Sequence, residues 1–275
     1  LHLDIVRDTV RGRQGRLEGR VAVVSGGLGA IGSATVRALA AEGADVAWCD
    51  LLPEDRALPL VGDVQDFGRR GLYHHVDVAD ARAVSSWLLE VEQRIGTPSL
   101  IVPNAAIVGL APWLQLSAED WRRVMAVNLD GAFHLATFAT RRLVECGLPG
   151  RVVFVGSWAA EHVHLALPAY CVAKAGMRML SRCMAGALAP HGILVNEIAP
   201  GFVAAGLADQ FPEAARDAHE TSRRQVPVGR LIEPHEVAAQ IVQLCDPGNR
   251  HMTGSTVLMD GGLSLFGTGV FEGRE

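Results

Sequence analysis

From residue 20 onward the chain alternates between short apolar runs rich in β-branched residues and longer stretches with apolar residues at helical spacing. The short runs lie at 20–25, 45–50, 99–103, 151–157, 192–198 and 255–259, with a weaker one at 72–76. Several are continuously apolar, the pattern of parallel strands covered on both faces. Helical spacing runs through 31–42, 80–95, 118–145, 168–189 and 234–245. Ser117, with Glu119 and Asp120 behind it, opens one of these with acidic residues at its positive end. Such alternation predicts an α/β protein: one doubly wound parallel sheet of about seven strands with helices on both faces. Pro53, Pro59, Gly62, Gly68 and Gly71 predict a largely irregular crossover over 51–71. A second irregular stretch, 199–230, follows the sixth strand, where a lid could cover the strand ends.

No linker, repeat or low-complexity tract divides this pattern. We therefore expect one domain over 20–262, preceded by a leader at 1–19 and followed by a tail at 263–275. The leader carries Arg7, Arg11, Arg13 and Arg16 but lacks the apolar stretch of a secretory signal. It is expected to be mobile or packed on a neighbour. The tail carries Phe266 and Phe271 between glycines, a composition suited to packing on another subunit.

Composition narrows the function. The chain has 275 residues, 49% hydrophobic and 20% charged, enough for a sizeable core and incompatible with intrinsic disorder. A net charge of -5 and a pI near 6.1 give no basic footprint for nucleic acid or an anionic membrane. No run of apolar residues is long enough to span a bilayer. The cysteines, Cys49, Cys146, Cys171, Cys183 and Cys245, are odd in number and scattered without a C-x-x-C pair. Reduced thiols in a cytoplasm are the simplest reading, with neither a disulfide framework nor a metal site.

The first run leads through Ser25-Gly26-Gly27-Leu28-Gly29-Ala30-Ile31-Gly32 into a helix. Gly27 to Gly32 spells G-x-G-x-x-G, which permits a tight turn and brings backbone close to a pyrophosphate at a helix N-terminus. The strand before it, the helix after it and an acid at the end of the second strand, Asp50, place this in a Rossmann-type dinucleotide site. A carboxylate there accepts hydrogen bonds from both ribose hydroxyls and repels a 2′-phosphate. With no Lys or Arg in the loop or directly after Asp50, the cofactor expected is NAD rather than NADP.

A second constellation is Tyr170-Cys-Val-Ala-Lys174, with Ser157 at the end of the fifth strand. Positions i and i+4 share a helix face, so the lysine ammonium lies beside the phenol. A neighbouring positive charge is expected to lower the tyrosine pKa and make it a general acid/base. Lys174 is the sole lysine among 25 basic residues, and Tyr170 one of only two tyrosines. A chain that uses Arg everywhere else and Lys here calls for a compact ammonium at this position.

With these motifs the sequence resembles the short-chain dehydrogenase/reductase family over roughly residues 18–262. The resemblance implies a tetrad of Asn128, Ser157, Tyr170 and Lys174. Ser157 would hold the substrate oxygen and Tyr170 exchange its proton. Lys174 would hold the nicotinamide ribose, and Asn128 would act through water. It further implies a nucleotide site at Gly26, Leu28, Gly29, Ile31, Gly32, Asp50 and Leu51, with Asp77-Val78 at the adenine. Asn104, Ala105 and Ala106, then Pro200, Gly201 and Val203, complete it alongside Tyr170 and Lys174. Ser25 and Ala30 depart from the family's Thr-Gly-x-x-x-Gly-x-Gly, and Pro103 and Ala106 from its Asn-Asn-Ala-Gly. A homotetramer, or a homodimer, is the assembly the resemblance implies.

Candidates for contact with substrate are Trp158, His164 and Phe202 beside Ser157 and Tyr170, with His162 and the segments Val108–Trp113 and Phe202–Leu207 nearby. The resulting expectation is an NAD-dependent oxidoreductase that interconverts a secondary alcohol, a sugar or polyol among them, with its carbonyl. One alternative is a 3-oxoacyl thioester reductase, which calls for basic residues to meet a phosphopantetheine carrier; the Arg pairs at 122–123 and 141–142 are weak candidates for that role. The other is a non-catalytic dinucleotide-sensing scaffold.

Overall fold

Seven parallel strands form one sheet in the order β3-β2-β1-β4-β5-β6-β7. They are β1 (Val21–Ser25), β2 (Asp45–Asp50), β3 (Gly71–His75), β4 (Leu100–Val102), β5 (Gly150–Val155), β6 (Ile193–Pro200) and β7 (Thr256–Met259). The computed structural model describes residues 15–204 and 223–265. Val23 pairs with Ala47 on one side and Ile101 on the other, so the strand order reverses between β1 and β4. In sheets of this kind that reversal opens a crevice at the carboxyl ends of the strands.

The helices are α1 (Ala30–Ala41), α2 (Leu58–Asp66), α3 (Ala81–Ile95), α4 (Ala118–Met125), α5 (Gly131–Glu145), α6 (Pro168–Leu188) and α7 (Pro234–Cys245). One core layer, with Trp87, Leu135, Leu143, Phe154 and Met177, lies between the sheet and α3, α5 and α6. The other, with Leu17, Leu39, Trp48, Ile198 and Ile241, lies under α1, α2 and α7. Every residue of β1 and β6 is buried, which is why β1 reads as apolar up to its last residue and β6 on both sides of Asn196 and Glu197. Fully burying one such aliphatic side chain contributes about 1.5–3 kcal/mol. Helix starts follow local chemistry. The Asp80 carboxylate accepts from the Arg82 and Ala83 amides, and Glu233 and Glu236 form a reciprocal capping box around Pro234.

Three expectations are corrected. The crossover 51–71 is mostly helical: a 3₁₀ turn over Glu54–Ala57 runs into α2. Its prolines sit where a helix tolerates them, Pro53 before the 3₁₀ turn and Pro59 in the first turn of α2, where no amide donor is needed. The stretch 118–145 is two helices joined by a π turn, Ala126–Asp130. The end of the leader, from residue 15, packs on this chain's own body. Leu17 is fully buried, Arg16 pairs with Glu42 at 2.8 Å, and Glu18 pairs with Arg69 at 2.6 Å. Most of the 199–230 stretch, the rest of the leader and nearly all of the tail lie outside the described residues.

Among the described residues, no helix is long and apolar enough to cross a membrane. Nor does any group of His, Cys, Asp and Glu among them have an arrangement suited to a metal ion.

Candidate active site

On one side of the crevice, the loops after β1 and β4 are laced together. The Ser25 hydroxyl accepts from the amides of Asn104 and Ala105 at 3.0 and 3.1 Å. In return the Asn104 side chain donates to the carbonyls of Ser25 and Gly26 at 2.9 and 3.0 Å. Serine in place of threonine therefore keeps the hydroxyl that this junction uses. At Gly32 a side chain has no room, because a Cβ would lie 2.0 Å from the Gly26 carbonyl oxygen. Helix α1 starts at Gly29 without a side-chain cap, leaving its first amides unpaired within the helix beside this tight loop. Leu28 and Ile31 anchor the loop on the core beneath.

Asp50 ends β2 beside the same loop. Its carboxylate accepts from the Leu28 amide at 3.0 Å and the Leu51 amide at 2.8 Å. Beyond β3, Asp77 caps its own turn through the Ala79 amide, and the buried Val78 offers its carbonyl to the His134 ring at 3.0 Å. After β6, Gly201 donates to the Met259 carbonyl and Val203 bridges Ile232. A glycine cradle, an uncapped helix start and an acid beside both fit the pyrophosphate and ribose of a dinucleotide.

On the other side, β5 and α6 bring Ser157, Tyr170 and Lys174 together. The Lys174 ammonium donates to the Val155 carbonyl at 2.7 Å and stands 5.6 Å from the centre of the Tyr170 ring. Burial pushes Lys174 down to about 8, with the Glu197 carboxylate opposing the shift. Burial likewise pushes Tyr170 up to about 12, with the Ser157 hydroxyl pulling it back. This corrects the expectation of a lowered tyrosine: in this geometry desolvation of the phenolate sets the direction of the shift. Ser157 accepts from the Ala159 amide at 3.2 Å, which leaves its own hydrogen free to donate.

Asn128 is fully buried in the π turn, a rare helical irregularity that recurs at functional sites. Its side chain holds Ile107 from both ends, accepting from that amide at 2.8 Å and donating to that carbonyl at 2.9 Å. It thereby fixes the loop that carries Ala105 and Ala106.

Trp158 and Phe202, both expected at the substrate, meet edge to face at 5.4 Å. His162 joins them, 5.1 Å from Trp158, whereas His164 is absent from these ring contacts among the described residues. Instead, the His164 carbonyl accepts from Leu167 at the start of α6, and burial lowers its imidazole pKa. Two buried charges here were not anticipated. Arg178 lies one helical turn beyond Lys174, and Glu197 lies in β6. They pair at 2.8 Å with both side chains buried, and Arg178 also donates to the Ser157 carbonyl at 3.0 Å. The one visible signal was an acid, beside Asn196, inside a mostly apolar strand.

Comparison with known proteins now adds to this geometry. A family model described as enoyl-(acyl carrier protein) reductase matches residues 27–264. D-threitol dehydrogenase of Mycolicibacterium smegmatis is 32% identical over 260 residues, 91% of this chain and 95% of that protein. A 3-oxoacyl-(acyl-carrier-protein) reductase of Thermotoga maritima is 31% identical over 250 residues, 91% of this chain and 100% of that one. Among solved structures, a gluconate 5-dehydrogenase of Burkholderia cenocepacia in complex with NADP and tartrate superposes with a TM-score of 0.85. It is 29% identical, over 92% of this chain and 98% of that one.

Proposed function

The chain belongs to the short-chain dehydrogenase/reductase family, whose oxidoreductases use nicotinamide dinucleotides, and we propose that it is an NAD-dependent enzyme interconverting a secondary alcohol with its carbonyl. The observation that carries this reading is the seating of Tyr170 beside the Ser157 hydroxyl and the Lys174 ammonium, across the crevice from the glycine loop.

The dinucleotide supplies the acceptor or donor of hydride when bound. Gly26 to Gly32 and the start of α1 would hold its pyrophosphate, Asp50 its adenosine ribose, Asp77 and Val78 its adenine side, and Lys174 its second ribose. Ser157 would donate to the substrate oxygen and fix it against Tyr170. The phenol, kept protonated by burial, gives its proton to a carbonyl oxygen in reduction and recovers one in oxidation. Lys174 supplies the adjacent positive charge that limits the cost of the phenolate.

Asp50 supports NAD over NADP, since its carboxylate would face a 2′-phosphate. A neighbour of the same fold holds NADP, so the preference for NAD rests on Asp50 and not on the fold. A hydroxylated substrate such as a polyol is supported by the D-threitol relative and by the imidazole beside Trp158. The acyl-thioester alternative rests on the reductase relative. Among this chain's candidate arginines for it, Arg142 already pairs with Glu92 at 2.9 Å and with Glu145. Self-association is supported by Phe133 on α5 and by Val172 and Met179 on α6, all exposed apolar side chains; sedimentation gives the subunit number.

The test is NADH formation across sugars, polyols, hydroxysteroids and simple secondary alcohols, with NADP in parallel and Tyr170→Phe as the blank. Turnover on one class, absent in the variant and poor with NADP, is the expected result. Dinucleotide binding with no turnover on any substrate would favour the sensing scaffold.

A further inference from the structure

Tyr170, Lys174 and Arg178 follow one another at four-residue spacing along one face of α6. The last of them holds more of the site than any other side chain on that helix. Its guanidinium grips Glu197 with two nitrogens, Nε to Oε2 at 2.8 Å and Nη2 to Oε1 at 3.2 Å. Nη2 also donates to the Ser157 carbonyl at 3.0 Å, and Nη1 meets the Glu161 carboxylate at 2.5 Å. Ser157 and Glu161 flank the 3₁₀ turn Trp158–Ala160, one at each end. One planar cation thus brackets the turn that presents both the Ser157 hydroxyl and the Trp158 ring.

Glu197 is held in turn. The Thr256 hydroxyl donates to its Oε2 at 2.8 Å, so the carboxylate is bonded from both α6 and β7. Gly156, the residue before Ser157, leaves the space it needs: a Cβ there would lie 1.8 Å from Glu197 Oε1. An apolar pair of similar volume is usually at least as stable as a buried ion pair, so such a pair is weakly explained by stability alone. Specific geometry at a site is the better-supported reason to keep one.

We propose that Arg178, seated on Glu197, is a positioning residue for the reaction: it sets the 157–161 turn so that the Ser157 hydroxyl faces the Tyr170 phenol. Neither side chain touches substrate. Both act through Ser157. The inference rests on the reading of Ser157 and Tyr170 as the reacting pair.

Arg178→Lys tests it. Lysine keeps the charge beside Glu197 but has no planar fork to reach Glu197, Ser157 and Glu161 together. Amide hydrogen exchange on the full-length protein reads the turn without any substrate. The expected result is exchange at least tenfold faster over residues 156–161, with NADH affinity within twofold of the parent. On the substrate that the panel of alcohols identifies, kcat falls at least tenfold. Unchanged exchange over 156–161, or kcat within twofold, overturns the proposal. Should the lysine variant fail to fold, the double variant Arg178→Met, Glu197→Met replaces the pair with apolar bulk. Fast exchange and low kcat in a folded double variant support positioning, and parent-like values overturn it. Loss of turnover in Tyr170→Phe with full turnover in Arg178→Lys defeats this inference alone. Turnover retained in Tyr170→Phe defeats the underlying reading instead, while the exchange measurement still judges Arg178.

Discussion

Around β1 and β2 the crevice is lined by backbone and one partly exposed carboxylate; around β5 and β6 it is built on charges taken out of water. Asp50 binds the Leu28 and Leu51 amides, and Ser25 and Asn104 lace one loop to the next. Across the crevice Lys174, Arg178 and Glu197 are 1%, 5% and 0% exposed. In the proposed function the first side would recognise a ligand by shape and amide direction, so its weak point is steric. The second side would prepare proton transfer, so its weak point is electrostatic: each buried charge depends on a neighbour.

Substitutions on each side should therefore fail differently. The largest effect short of the reacting pair is expected from Gly32→Ala. Its methyl would press on the Gly26 carbonyl, which is backbone and cannot swing aside. A loss of about 1–3 kcal/mol in denaturant unfolding is expected, together with weakened NADH binding. Asp50→Asn keeps an acceptor for the loop amides but removes the charge. NAD affinity should fall about 10- to 100-fold, and discrimination against NADP should narrow with it, as read by titration calorimetry.

Lys174→Met probes the other side through pH. The folded protein holds Lys174 near 8, below its ordinary value of 10.5. Between those two pH values the unfolded chain binds the proton that the folded chain has released, so stability rises with pH. Relative to the variant, the parent should gain on the order of 1–3 kcal/mol across that window in urea melts. A flat or falling difference would mean that the ammonium is not desolvated as its burial implies. The smallest effect is expected from Arg142→Ala, an exposed pair with Glu92 and Glu145. Stability to denaturant and alcohol turnover should both stay at the parent's level. A selective loss of activity on carrier-bound thioesters would revive the reductase alternative.

Both sides of the comparison differ in how far the sequence announces them. The strands inside the sheet were readable because both of its faces are covered there, so apolar runs mark them directly, whereas the edge strand β3 is only partly buried and left the weaker run at 72–76. The glycine loop, Asp50 and the Tyr170–Lys174 pair were readable because their chemistry depends on local spacing. Helix α2 was not, since proline in a first helical turn and proline in a loop look alike along a chain. The π turn was hidden as well: one extra residue per turn leaves the apolar pattern of 118–145 nearly intact. Arg178 was invisible among so many arginines. Its meaning comes from Glu197, nineteen residues further on, in a strand that only the fold brings beside α6. The raised phenol pKa is likewise a property of burial, which spacing does not report.

The most direct test sets dinucleotide binding against turnover in Tyr170→Phe, using calorimetry with NADH and initial rates on the preferred alcohol. The division between a binding side and a proton-transfer side predicts a Kd within about threefold of the parent and turnover reduced roughly 10²- to 10⁴-fold. Turnover within tenfold of the parent at unchanged Kd would contradict it, because proton transfer would then run through some group other than Tyr170.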